Sequence, residues 1–219
     1  MNNVTKQKIV DILDNTFSVL DRCYANNDEA SSKADFIKAG SRLIFPRYSK
    51  KYRGGVRRIS EQELRFLFIE QFIQYCQNPE TLWDVYYSVE TPTEWKYKFS
   101  GEINPRKTED ESGQSAMIDV CIHDKTGKRI CLIEFKAGNP DEFCYVKDFV
   151  KLNAEEGLSF FVQLLESQNK GTMENIIKEK IGSDLGDTNY VCHTIASDYR
   201  GTVYISHEEI NGKGWIKKE

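Results

Sequence analysis

Apolar residues recur at helical spacing near the amino terminus of the chain. Between positions 4 and 24 they are Ile9, Ile12, Leu13, Phe17 and Leu20, which is the period of an amphipathic helix. A polar stretch, a short helical piece around position 36 and a glycine pair at 54–55 follow. The pattern predicts one long helix and then a weakly structured, loop-rich segment.

A second helix is predicted to begin at Ser60. Its hydroxyl can cap the amino end while Glu63 reciprocates three residues later, and Asn78-Pro79 ends the apolar run that follows. Because the basic segment with the glycine pair before this helix is typical of a flexible loop, we expect residues 1–58 to form an amino-terminal helical and basic extension. Residues 59–219 are expected to form the main domain.

Alternating apolar and polar positions predict strands through the middle of the chain. We expect two strands within 83–103 joined around Thr91-Pro92, a polar loop at 104–115, and a helix that Asn139 caps and that runs to Leu152. The remaining predicted elements are strands at 117–124, 129–135, 159–165, 190–195 and 202–205, and a helix at 173–181. This order indicates an α/β fold with a mixed central β-sheet flanked by helices.

The strands on either side of Lys125–Lys128 form a hairpin whose register follows from side-chain sorting. A four-residue loop places Asp124 opposite Arg129 and Asp119 opposite Glu134. One face then carries only apolar residues, namely Ile118, Val120, Ile122, Cys131, Ile133 and Phe135. A slip by one residue would destroy that sorting, so this register is strongly favoured.

The other face of the hairpin carries the candidate chemistry. Asp119 and Glu134 stand opposite each other, and Lys136 lies two residues further along its strand. Two adjacent carboxylates on a mostly apolar hairpin repel each other unless a cation neutralises them. Mg²⁺ binds through one or two carboxylates and can activate water against a phosphodiester, while an ammonium group can position that water. A surface ion pair between Glu134 and Lys136 is the structural alternative.

Ile118-Asp119, followed after fourteen residues by Glu134-Phe135-Lys136, resembles the signature of the PD-(D/E)XK nuclease superfamily, with Ile118 where the motif name has proline. The resemblance covers roughly residues 60–165 and implies a restriction-endonuclease-like core. It also implies an endonuclease-type hydrolase that uses Mg²⁺, with Mn²⁺ as a substitute. DNA is the favoured substrate, and cleavage would leave a 5′-phosphate and a 3′-hydroxyl.

The same resemblance suggests further site residues. An acid from the preceding helix is expected to join the metal site, with Glu61 as first choice and Glu63 or Glu70 as alternatives. Lys151 is expected either to contact phosphate or to lie on a solvated helix face. Gln163 occupies a position where some relatives place a polar site residue.

Basic residues cluster in a segment that contains no acidic residue. They are Arg42, Arg47, Lys50, Lys51, Arg53, Arg57 and Arg58, with Tyr48 and Tyr52 interleaved. Such a segment can follow a phosphate backbone and stack on bases, although a solvated basic loop is an equal alternative. The net charge of −4 excludes bulk coating of nucleic acid, so any anion must be met locally.

The sequence also gives expectations for the binding partners and the cellular location of the protein. No apolar run suits a membrane span or a secretory signal, so we expect a cytoplasmic protein that binds nucleic acid and no membrane. Six scattered cysteines predict free, mostly buried thiols. The sequence does not decide whether the protein forms a homodimer or a larger complex. The alternative functions are a non-catalytic nucleic-acid-binding or regulatory protein, and a defence or toxin nuclease that depends on a partner.

Overall fold

The chain divides into two compact units, residues 1–83 and 84–219. The computed structural model describes residues 2–26, 40–55, 57–99, 106–109, 112–196, 200–206 and 216–217. The predicted boundary at residue 58 falls before the second helix, whereas the boundary between the units falls after it. The helical piece predicted around Phe36 lies outside the described residues.

The amino-terminal unit contains two long helices. Helix α1 (Asn2–Asn26) buries the whole predicted stripe: Ile9, Ile12, Leu13, Phe17 and Leu20. Helix α2 (Glu61–Gln77) begins after Ser60, as predicted. Its cap differs from the predicted one, because the Ser60 hydroxyl donates to the Glu63 carboxylate and caps no backbone N–H.

The second unit is an α/β structure built on an eight-stranded mixed sheet. The order across the sheet is β2-β1-β3-β4-β5-β6-β7-β8, and only the β4-β5 and β5-β6 pairs are parallel. The strands are β1 (Val85–Lys98), β2 (Arg106–Thr108), β3 (Gln114–Asp124), β4 (Arg129–Ala137), β5 (Leu158–Leu165), β6 (Asn189–Thr194), β7 (Gly201–Ile205) and β8 (Ile216–Lys217).

Two predictions for the first strands are wrong. Residues 85–98 form one continuous strand along β3 with an irregular register between Pro92 and Lys96, and do not divide at Thr91-Pro92. The predicted polar loop contains β2 and the beginning of β3. The Glu155 carboxylate explains the continuous strand, because it accepts the backbone N–H groups of Glu94 and Trp95 at 2.8 and 3.0 Å, within the irregularity.

The predicted hairpin register is confirmed over its central pairs. Val120 pairs with Ile133 and Ile122 with Cys131, and all six side chains of the predicted apolar face are buried. Near the turn the prediction is wrong by one residue, because Arg129 pairs with His123. There the Asp124 side chain accepts the backbone N–H groups of Thr126 and Lys128 and closes a tighter loop.

Helix α3 (Glu142–Ala154) packs on one face of the sheet. Its cap is Asp141, which accepts the N–H of Cys144 at 3.1 Å, so the prediction of Asn139 as the cap is wrong. Phe149 of α3 stacks on Phe161 of β5 with ring centroids 4.7 Å apart. The predicted helix at 173–181 is a helical turn, α4 (Thr172–Asn175), that continues as a π-helix to Ile181.

All six cysteines are free, and four of them are buried, as predicted. Among the residues that the structure describes, no helix combines the length and the apolar character that crossing a bilayer requires.

Candidate active site

The three signature residues share one face of the β3-β4 hairpin. Cys121 pairs with Leu132, and strand alternation therefore places Asp119, Glu134 and Lys136 on the same side as that pair. Helix α3 covers this face, because its Asp148 and Lys151 contact Lys136 and Glu134. The structure thus brings the predicted acids and the predicted lysine together beneath one helix.

Glu134 is buried and paired with Lys151, for which a phosphate contact or a solvated helix face was expected. The Lys151 ammonium donates to Oε1 of Glu134 at 2.6 Å, and each side chain is only 5% exposed. Lys151 also donates to the Met117 carbonyl at 3.0 Å and lies 2.9 Å from Oδ1 of Asp148. A cation therefore neutralises Glu134, and that cation is part of the chain.

Lys136 is the more accessible of the two lysines. Its ammonium lies 2.9 Å from Oδ2 of Asp148, and its side chain is 18% exposed. Asp148 thus contacts both lysines, one through each carboxylate oxygen. This contact holds the Lys136 ammonium at the partly exposed edge of the buried cluster.

Asp119 is fixed by the backbone of the neighbouring strand. Its Oδ2 accepts the N–H of Phe135 at 2.8 Å, which directs the carboxylate toward β4 beside Glu134. Asp119 is half-buried and Glu134 fully buried. The two acids therefore differ in access to solvent, although they share one face.

The charges of this cluster shift one another's pKa values. Burial raises the pKa of Glu134 well above its usual range, the Asp148 and Asp119 carboxylates add to the rise, and Lys151 opposes it. Burial would also raise the pKa of Asp148, but Lys151 and Lys136 outweigh burial and lower it. Burial would lower the pKa of Lys151, but Glu134 and Asp148 outweigh burial and raise it. The cluster therefore favours a charged Lys151 and a charged Asp148.

Lys151 fits neither of its two predicted roles. It is buried, so it is not on a solvated helix face, and its three ammonium hydrogens are matched by three acceptors within 3.0 Å. That arrangement does not fit a direct phosphate contact.

Asp148 is not among the residues predicted from the sequence, although its spacing indicates a buried acidic residue. It lies at helical spacing within the buried stripe of Tyr145, Phe149 and Leu152, where an acidic residue needs a partner. Lys151, three residues later, is that partner.

Gln163 is an internal structural residue. It is fully buried and donates to the Gly138 carbonyl and the Tyr145 hydroxyl, both at 2.6 Å. Its oxygen accepts from the Tyr190 hydroxyl at 2.5 Å. These bonds hold the end of β4 to β5 and α3.

The basic segment belongs to the amino-terminal unit, and its cations differ in their surroundings. Arg57 lies over the Tyr24 ring at 4.3 Å, and Arg58 pairs with Glu63 at 2.9 Å. Arg47 donates to the Gly55 carbonyl at 3.3 Å. The exposed members are Arg42, Arg47, Lys50, Lys51 and Arg58, and the side chain of Arg53 lies outside the described residues.

The helix acids also belong to the amino-terminal unit. Glu63 is buried and accepts from Arg58 and Ser60, which is a structural role in that unit. Glu61 is the first residue of α2 and is partly exposed. Its predicted place among the metal ligands stays a prediction.

The hairpin carboxylates can be compared with the set of ligands that a divalent ion requires. Across the described part of the chain, no group of three or more His, Cys, Asp and Glu side chains is arranged to hold a metal. Mg²⁺ does not require such a cage, because it characteristically uses one or two carboxylates and keeps water or phosphate oxygens. Asp119 and Glu134 fit that donor set.

The chain matches no protein-family model, no curated protein and no solved structure.

Proposed function

We propose that the protein is a magnesium-dependent nuclease that hydrolyses phosphodiester bonds of nucleic acid, DNA in preference. Asp119 and Glu134 would hold Mg²⁺, and Lys136 would position the attacking water. The observation that carries the proposal is the meeting of Asp119, Glu134 and Lys136 on one face of a hairpin beneath α3.

The order of elements also supports this proposal. A helix, an antiparallel set of β1, β3 and β4, helix α3 and the parallel strand β5 follow one another along the chain. This is the order that the PD-(D/E)XK resemblance covers, with its signature on the hairpin. A restriction-endonuclease-like core is therefore part of the proposal.

The electrostatics of the cluster favour an added cation. Burial and the Asp148 and Asp119 carboxylates raise the pKa of Glu134 although Lys151 opposes the rise, and a bound divalent ion would favour the charged form of Glu134. When bound, Mg²⁺ would polarise a phosphoryl oxygen and lower the pKa of a coordinated water. Lys136, held by Asp148 and partly exposed, supplies an ammonium group that can orient that water and stabilise negative charge on the phosphate.

One observation favours a second candidate, a non-catalytic nucleic-acid-binding or regulatory protein. Lys151 already pairs with Glu134 at 2.6 Å, so this carboxylate has a counter-cation within the chain without a metal. On this view the signature residues stabilise the packing of α3 on the sheet, and the protein would bind nucleic acid without cutting it.

A cleavage assay separates the two candidates. Labelled DNA and RNA, single- and double-stranded, are incubated with the protein in Mg²⁺, Mn²⁺ or EDTA. We expect metal-dependent cleavage that Asp119→Asn and Lys136→Ala each reduce by at least about 100-fold with folding retained. Lys125→Ala, in the exposed hairpin turn, is the control and should cleave like the wild type. Binding without cleavage in either metal would favour the second candidate.

A further inference from the structure

The Lys151 ammonium occupies a site with three acceptors. Oε1 of Glu134 lies at 2.6 Å, Oδ1 of Asp148 at 2.9 Å and the Met117 carbonyl at 3.0 Å. An ammonium group has three hydrogens, and these three oxygens match them. The arrangement resembles the coordination of a small cation by oxygen, with the cation supplied by the helix.

A divalent ion on Glu134 would meet this ammonium at close range. Both cations would share one carboxylate in a site where the Glu134 and Lys151 side chains are only 5% exposed, and like charges repel strongly where water is excluded. The Glu134 carboxylate therefore cannot bind the divalent ion and the Lys151 ammonium at full strength at the same time. Asp148 offers Lys151 a second carboxylate on its own helix, so the ammonium can leave Glu134 and stay within the cluster.

We infer that Lys151 is an internal counter-cation that competes with the divalent ion for Glu134, so that metal binding is a cation exchange. The inference rests on the proposed function, since it concerns the same site. Metal-free protein keeps Lys151 on Glu134, and metal-bound protein keeps Lys151 on Asp148. A substrate phosphate adds negative charge at the site and favours the exchange, so nucleic acid and metal strengthen each other's binding.

Calorimetric titration with Mn²⁺ tests the competition without reference to cleavage. Lys151→Gln removes the competing charge and should bind Mn²⁺ at least about tenfold more tightly than the wild type. Lys151→Arg keeps the charge and should stay near the wild type. Lys147→Gln is the matched control, a partly exposed lysine one turn earlier on α3, and should also stay near the wild type.

The wild-type protein provides a second measurement that needs no charge-removing variant. A buried, hydrogen-bonded ammonium exchanges its protons slowly, so the Lys151 signal should be observable in nitrogen-15 NMR spectra. Its absence in Lys151→Arg assigns it. We expect Mg²⁺ to shift or broaden this signal in step with metal binding, and Asp119→Asn, which removes a proposed ligand, to weaken the response.

The outcomes separate this inference from the function on which it rests. If the wild type binds Mn²⁺ and Lys151→Gln binds it equally or more weakly, the exchange is overturned and the metal site stands. A Lys151 signal that stays unchanged in metal-saturated protein overturns the exchange in the same way. If neither the wild type nor Lys151→Gln binds Mn²⁺ or Mg²⁺, both the exchange and the proposed metal site fall.

Discussion

Asp119 and Glu134 interact through their charges, because the Asp119 carboxylate is one of the groups that raise the pKa of Glu134. Asp119→Asn removes that charge and keeps an oxygen that can accept the Phe135 N–H. We expect the pKa of Glu134 to fall in this variant and to stay above its usual value, since burial is the larger cause. Carbon-detected NMR of the Glu134 carboxyl measures it.

Asp124→Asn is the control for that titration, because Asp124 lies at the turn of the same hairpin and binds its own loop. It should leave the pKa of Glu134 unchanged. An unchanged Glu134 pKa in Asp119→Asn would show that the two carboxylates do not interact, and the proposed metal site would lose its basis.

Asp148 makes the stability of the fold depend on pH. Its pKa lies below the usual 3.8, since Lys151 and Lys136 outweigh burial. A carboxyl with a lowered pKa stabilises the fold above its unfolded pKa, and this stabilisation is lost as pH falls through the folded pKa. Asp148→Asn should therefore lower the free energy of unfolding by about 3 kcal/mol at neutral pH, and the difference should shrink below pH 3.8.

Urea unfolding across a pH series measures this difference. Removing Asp148 should also lower the pKa of Glu134, because the Asp148 carboxylate is one of the groups that raise it. The expected loss of folding free energy therefore lies at the low end of the range for a broken buried ion pair. Asp187→Asn, at an exposed position, should change little at any pH. A difference that stays constant from neutral pH down to acid would contradict the prediction.

At the scale of elements, local patterns predicted the hairpin register and the helix that covers the hairpin, but not the contacts that this helix makes. The register of β3 and β4 could be read from the sequence because a slip would expose six apolar side chains. The contacts of Lys151 with Glu134 and Met117 join residues 17 and 34 positions apart. They depend on how α3 packs on the sheet, and side-chain periodicity does not report that packing.

Glu155, at the end of α3, is another long-range contact that the sequence did not indicate. Its carboxylate accepts from the backbone of Glu94 and Trp95, from the Tyr97 hydroxyl at 2.8 Å and from Arg129 at 3.2 Å. These donors lie about 26 to 61 residues away in sequence. Arg129 also donates to the Pro92 carbonyl at 2.7 Å, so side-chain contacts hold the irregular stretch of β1 and the strand does not divide at Thr91-Pro92.

Glu155→Gln tests that role. The amide has one acceptor oxygen in place of two and presents N–H groups to donors, so we expect the free energy of unfolding to fall by about 3 kcal/mol. Hydrogen exchange at the Glu94 and Trp95 amides should accelerate more than exchange elsewhere in β1. Glu156→Gln, at the adjacent exposed position, is the control. Unchanged exchange at both amides would show that Glu155 does not hold the strand.

At the scale of the whole molecule, the basic side chains form two groups, those that are paired or buried within the structure and those that are exposed. The net charge is −4, so attraction of a polyanion depends on local positive groups. Arg58 pairs with Glu63, Arg57 lies over Tyr24, and Lys151 is buried, so these groups stabilise structure. Lys50 and Lys51 are exposed in the basic segment and are the clearest candidates for contact with phosphate.

The salt dependence of binding tests this division. Each phosphate contact contributes about 0.9 to the slope of log affinity against log salt for duplex DNA. Replacing Lys50 and Lys51 together by alanine should therefore reduce the slope by about 1.8, measured by fluorescence anisotropy in EDTA so that no DNA is cut. Replacing Lys125 and Lys128 together, which are exposed in the hairpin turn, removes the same charge and is the matched control. If both double variants lower the slope equally, net charge alone governs attraction and the basic segment has no special role in binding nucleic acid.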